Sequence, residues 1–364
     1  MGPDLIVVGG GVVGLTVALA AADEGLRVAL VTARTPGEAS PAAAGMLAPT
    51  IEIGDGPGGE AAHGFALAAR DRYPSYLARL AERSGITVPH NRLGILVTGE
   101  RDDEGGADHG IARSGQRLDA TALERLEPAM AGVAGARFFP DDGSVDNVRL
   151  LEALGVAIDR TAAIERHAGP AVELDIAGDR IRCRTANGAV SAPQLVLAAG
   201  AWSPGLDGLP RPLPIVPVRG QMLALDGAPL SHVVYGPSGY LVPRGGDETL
   251  VGATMEWAGF DARTTPGAMD ALRVIAAAIC PALADSSVRR FWAGLRPVTP
   301  DLLPIIGRDP TCDRLIYACG HSRNGVLLGP LTGDCVAALC AGRSSPYDLA
   351  PFAVERFGVT SAVC

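Results

Sequence analysis

"LIVVGGGVVGL", residues Leu5 to Leu15, carries no charge and places glycine at positions 9, 10, 11 and 14. Three roles compete for such a stretch: a membrane anchor, a tight core turn, or a cradle for phosphate. Continued to Ala22, the uncharged run approaches the roughly 18 residues at which a span becomes a candidate. Three consecutive glycines break helix propensity where a span needs continuous helix, and neither a basic leader nor a small-residue cleavage site accompanies it. Divided in two, the stretch makes better sense. Leu5 to Val8 is a short apolar run of the kind that forms a buried parallel strand, and Val12 to Glu24 suits a helix stopped by Gly25. Between them Gly9, Gly11 and Gly14 satisfy G-x-G-x-x-G. The first glycine turns the chain, the second lets backbone reach a pyrophosphate, and the third lets helix lie close on strand, with free N–H groups at the helix start facing the phosphates. A second strand, Arg27 to Val31, completes a βαβ unit, the context that lifts the motif above a structural glycine turn.

The 364 residues allow two domains, and 48% hydrophobic content predicts packed cores. Net charge is −9, and no clustered basic face suggests nucleic acid. Lysine is absent, so all 31 fixed cations are arginine, which excludes a lysine Schiff base and a Walker A lysine. The seven cysteines form no C-x-x-C pair. Neither a metal centre nor a disulfide framework is expected, and a reducing cytoplasm fits.

Downstream, "EASPAAAGMLAP" (Glu38 to Pro49) is a run of small residues that suits neither strand nor amphipathic helix. Helical spacing covers His63 to Ser84, Asp119 to Leu126, Val148 to Arg160 and Pro266 to Ile279. "NRLGILVTGE" and "QLVLAAGAW" read as strands, and the acidic "ERDDEGGADHG" between the first of these and the 119–126 helix as a solvated loop. The proline-rich Leu209 to Gly220 predicts a crossover, because proline denies a ladder hydrogen bond. Tyr240 to Thr254 reads as a hairpin turning at Gly245 to Asp247. Interleaved strand types predict an α/β protein of two discontinuous domains: a Rossmann-like dinucleotide domain (1–85, 141–212 and 292–364) and a smaller α+β substrate domain with a mixed or antiparallel sheet (86–140 and 213–291).

A dinucleotide fold normally ends its second strand on an acid that holds the ribose. Here "VALVTAR" offers Thr32 and Arg34. Arg34 could take the 2′-phosphate of NADP, Thr32 could hold the ribose of another dinucleotide, or Arg34 could be only a solvated strand-end charge.

At "PAAAGMLAP" a resemblance enters. With "LVLAAGAWSP", "VPVRGQ", "YLVPR", "LVGATME", "RFWAGLRPVTPDLLPIIG" and "CGHSRNGVLLGP", the chain resembles the D-amino acid oxidase family of flavoproteins, and most of all its glycine-oxidising branch, over nearly its whole length. The resemblance implies non-covalent FAD held by Gly9, Gly11, Val12, Val13, Gly14, Thr32 (where the family carries glutamate), Ala33, Ala39, Ser40, Ala44, Gly45, Met46, Gly200 and the segment His321, Ser322, Arg323, Asn324, Gly325, Val326 and Leu327. The small residues Ala42 to Gly45 would let backbone pass close to a flat ring system.

The same resemblance implies that Arg296 binds a substrate carboxylate bidentately, with Arg323 as a second arginine nearby. Tyr240 would close over it, Arg296 and Tyr240 forming the catalytic pair, and Met46 and Met255 would wall the pocket. Tyr235, before the "GPSG" turn, stands where relatives are more polar. His321 is expected to serve shape rather than proton transfer. The implied reaction oxidises glycine or another small amino acid to its imine, with O2 reoxidising FAD to give hydrogen peroxide, and in that branch the imine supplies the thiazole of thiamine. The expected partners are a small amino acid and O2, not nucleic acid or membrane, and a homo-oligomer is left open. A general D-amino acid oxidase or dehydrogenase, an NADP-dependent reductase and a non-catalytic flavin sensor remain as rivals.

Overall fold

The computed structural model describes residues 2–52, 59–99 and 115–358. The acidic stretch after Gly99 and Cys364 lie outside them. Leu5–Val8 is the hub of a six-stranded sheet ordered Ile305–Asp309, Cys312–Cys319, Gln194–Leu197, Leu5–Val8, Val28–Thr32, Ile164–Ala168. Five of its strands run parallel to one another and Ile305–Asp309 runs antiparallel. Parallel strands need both faces covered, and the strand residues alternate between two cores. Leu5, Val7 and Leu30 face the helices Val12–Asp23, Gly59–Ser84, Asn147–Asp159 and Gly325–Cys340. Ile6, Val8 and Leu195 face Leu174, Ile181 and Val190 of a three-stranded antiparallel meander. This double burial explains why Leu5 to Leu15 reads as membrane-like: it is core on both sides.

The glycine loop has the geometry its spacing predicts. Gly9 takes φ +130°, and a side-chain carbon there would overlap the carbonyl of Ala198. One at Gly14 would overlap Gly9 O, so the helix could not lie on the strand.

A second sheet of eight strands runs Val288–Val298, Val216–Asp226, Glu248–Gly252, Gly239–Arg244, Val233–Gly236, Ile95–Val97, Gly135–Phe139, Gln116–Asp119. It is antiparallel except where Val233–Gly236 meets Ile95–Val97. Helix Pro266–Ile279 covers one face through Leu272, Ala276 and Ile279.

The proline-rich stretch corrects the crossover reading from Val216 onward. Pro217 stands opposite Pro297 inside the longest strand pair. Arg219 N–H points away from that pair to Glu256 O at 2.8 Å. Two residues earlier, on the same side, Pro217 has no ladder donor to lose. Strand Val288–Val298 also runs unbroken through the boundary expected at residue 292.

Candidate active site

A cavity of about 460 Å³ opens between the two sheets. The first sheet lends it the glycine loop Gly9–Val13 and Ala198–Trp202, and the second lends Gly220, Met222, Tyr240 and Gly294–Pro297. The small-residue run and residues 318–326 close its sides.

Of the residues singled out in the sequence, Gly9, Gly11, Val12, Val13, Ala33, Ala39, Ser40, Ala44, Gly45, Met46, Gly200, Tyr240, Arg296 and His321 to Val326 line this one cavity. Gly14, Thr32, Leu327 and Met255 do not. Gly14 packs under the loop, and Leu327 is buried in the helical core. Thr32 lays its hydroxyl against Gly10, where any side-chain carbon would overlap it. Met255 is corrected as a pocket wall: it is 44% exposed. Its neighbours Thr254 and Glu256 turn inward to Gln221 (2.9 and 2.7 Å), which sends Met255 outward. Met222, which no motif marked, takes its place beside Tyr240.

Arg34 is 89% exposed and pairs with Glu38 at 3.2 Å, in keeping with a solvated strand-end charge. Glu38 lines the cavity and also accepts Thr35 N–H at 2.8 Å.

The small-residue run is braced from outside. Arg244 donates to Val145 O (2.7 Å), Ala44 O (2.6 Å) and Asn147 Oδ1 (2.9 Å). Burial holds its pKa below the usual arginine range. Asn147 Nδ2 donates to Ser40 O at 2.9 Å, and Trp292 Nε1 to Ala42 O at 3.1 Å. Ser40 Oγ in turn accepts Val12 N–H at 3.0 Å. These braces escaped sequence reading because each joins segments far apart in the chain.

At the other end, Arg296 lies flat across Gly220, where a side chain would displace the guanidinium. Its Nη1 donates to Thr254 O at 3.1 Å, and among the described residues it has no carboxylate partner. Burial raises the Tyr240 phenol pKa, while Arg296 and Arg323 pull it back. Arg323 behaves differently. Its Nη2 donates to Glu52 Oε1 at 2.8 Å and to the Tyr235 hydroxyl at 2.6 Å, and that hydroxyl also donates to Glu52. Glu52 was missed; its signal was faint, the first charge after the uncharged run Ala39 to Ile51.

His321 Nε2 lies 3.2 Å from Thr332 Oγ1, and burial pushes the imidazole pKa down to about 3. It is neutral at working pH and does not act as a cation there.

The residues fit FAD. Two helices start at the cavity, at Val12 and Gly325, with no acid in the first turn and no capping bond from their own N-cap side chains. Their N–H groups and positive dipole ends suit phosphate and ring carbonyl oxygens. Between them the alanine run leaves room for a flat ring.

A dinucleotide sheet joined through one cavity to a largely antiparallel sheet, which contributes an arginine without a carboxylate partner among the described residues, defines a flavin oxidoreductase. The chain belongs to the FAD dependent oxidoreductase family, whose profile matches residues 4–339, and FAD is its cofactor. It is 34% identical to glycine oxidase of Pseudomonas aeruginosa over 97% of this chain and 99% of that one. It is 35% identical to the bifunctional protein ThiO/ThiG of Synechocystis over 98% of this chain, which spans only 54% of that longer relative. In structure it is similar to glycine oxidase from Geobacillus kaustophilus, with TM-score 0.87, 31% identity and coverage of 97% and 98%. Among the described residues no helix is long and apolar enough to cross a membrane, and no cluster could hold a metal ion.

Proposed function

We propose that the chain is an amino-acid oxidase acting on glycine, sarcosine or a small D-amino acid. The carrying observation is Arg296, a guanidinium in a largely apolar cavity without a carboxylate partner among the described residues. Such a charge is costly unless a ligand supplies the counter-ion, and an amino-acid carboxylate matches its fork bidentately. Tyr240, 7% exposed, stands over the same end of the cavity and offers a hydroxyl to that carboxylate. Met46 and Met222 line the cavity, and two long side chains there favour a substrate with a short side chain. Bound FAD would supply the two-electron oxidising power with which amine and O2 give imine and hydrogen peroxide.

No side-chain base is needed if the amine binds neutral, which agrees with a neutral His321. The glycine loop and small-residue run would hold the dinucleotide, and residues 321–326 its ring edge. Similarity to the glycine oxidases supports glycine as substrate. Similarity to bifunctional ThiO/ThiG proteins supports a finer reading, in which the short-lived imine is consumed by an enzyme building the thiazole of thiamine. Peroxide release by the FAD-loaded protein against glycine, sarcosine, D-alanine and D-phenylalanine tests this. The small amines should be turned over fastest, each unaccommodated methylene costing about 1–3 kcal/mol. Faster turnover of D-phenylalanine would make it a broad D-amino acid oxidase, and peroxide from none of them would end the proposal.

A further inference from the structure

Arg323 looks from sequence like a second clamp for carboxylate, yet its charge is already spent. Its Nη2 is bound by Glu52 Oε1 at 2.8 Å, and Tyr235 closes a triangle with both. We propose that Glu52 determines specificity, reserving the cavity for amines that carry a single carboxylate. The inference rests on the oxidase reading above and names its substrate charge.

Three observations carry it. The first is charge balance. At the substrate end the charged lining residues are Arg296, Arg323 and Glu52, one net positive charge. One carboxylate on Arg296 brings the site to neutrality. A second would leave an excess anion in a cavity of low dielectric, where like charges are most costly.

The second is placement. Glu52 ends the short helix Pro49–Glu52, six residues after Met46, and its side chain is 5% exposed, so water screens it poorly. It lines the same cavity as Arg296 and Tyr240. Tyr235 and Tyr240 lie ring to ring at 5.5 Å, so the triangle abuts the phenol over the substrate end.

The third is an unmet demand. Glu52 Oε2 is buried and has no hydrogen-bond partner among the described residues. A carboxylate held only to anchor Arg323 would pair both oxygens, and an unsatisfied buried acceptor is destabilising. Its retention beside the site fits a group kept for its charge.

The experiment uses FAD-loaded enzyme and ligands with no amine to oxidise: methoxyacetate, the ether analogue of sarcosine, and diglycolate, that of iminodiacetate. Binding of each is titrated by the flavin absorption spectrum. The native protein should bind methoxyacetate more tightly. In Glu52→Gln, which keeps the shape and releases Arg323, the preference should shift toward diglycolate by roughly tenfold or more, the scale of an uncompensated charge contact. Glu52→Asp, which keeps the charge, should retain the native preference, and Glu52→Gln with Arg323→Met should restore it. An unchanged ratio in Glu52→Gln at normal FAD content overturns the proposal, as does an equal shift in Glu52→Asp. Because neither ligand is oxidised, these outcomes are read separately from failure of the oxidase reading, which peroxide release from the amine panel above decides.

Discussion

Arg296 sits near one end of its strand's pairing with Val216–Asp226, opposite Val218, and its guanidinium crosses the bare backbone of Gly220. A fixed donor fork in that position gains most when it meets a planar carboxylate. Arg296→Met should therefore lower kcat/KM by about 3–5 kcal/mol, the scale for stripping one partner from a buried pair. Arg296→Lys should recover little, because an ammonium cannot reproduce two parallel hydrogen bonds. The loss should fall on substrates with a carboxylate and spare a simple amine, while FAD content stays normal. Steady-state kinetics with glycine beside a carboxylate-free amine, with flavin absorbance on the same samples, makes the check. Equal losses on both substrates, or loss of FAD, would make Arg296 a structural residue.

Among the elements, the loop before Gly143–Val145 carries a strained titration. Asp142 is held by Arg70 of the long helix at 3.0 Å and by Thr50 of the short one at 3.2 Å, and its Oδ2 is buried without a partner among the described residues. Burial pushes its pKa up to about 6, against the opposing pull of Arg70 and Thr50. A carboxyl raised in the fold contributes stability that is complete below its unfolded value and lost as pH rises through about 6. Between pH 4 and pH 7 that loss is of order 2 kcal/mol. Asp142→Asn should remove this component, so urea unfolding of the two proteins across that range should show a shallower pH slope for the variant. Identical slopes would mean that Asp142 stays ionised throughout.

Legibility in the sequence followed the same scale. Elements defined by local chemistry were readable: Pro266–Ile279 has a proline at its first turn and an apolar stripe, and the hairpin Gly239–Arg244 to Glu248–Gly252 turns on glycines. Asp119 and Asp146 cap their helices by accepting N–H groups of Ala122 (2.8 Å) and Val148 (3.0 Å), which moves the second helix start to Asn147. The strand hidden in Leu209 to Gly220 was not readable, because whether proline costs a hydrogen bond depends on which side the neighbour lies. In the site, the glycine spacing and the small-residue run were local signals. The pairing of Glu52 with Arg323 spans 271 residues, and no pattern in either segment announces it.

On the scale of the molecule, the cavity belongs to neither sheet alone, and few polar contacts fasten the small-residue run across the gap. Arg244, at the end of a second-sheet strand, is the most heavily used, holding Ala44 O, Val145 O and Asn147 at once. A ligand that binds only the folded chain adds stability in proportion to its saturation, roughly 2.7 kcal/mol at a hundred times its Kd. FAD added to the flavin-free protein should therefore raise Tm by several degrees. Arg244→Met should strand two carbonyls, at about 1–3 kcal/mol each, and loosen the backbone on which the ring would lie. Its Tm without FAD should fall, which a merely structural brace also predicts. The decisive quantity is the FAD-induced increment in Tm, measured at matched FAD concentration. It should shrink in Arg244→Met together with the affinity for FAD, whereas an increment as large as in the native protein would show that the brace stabilises the chain without shaping the cofactor site.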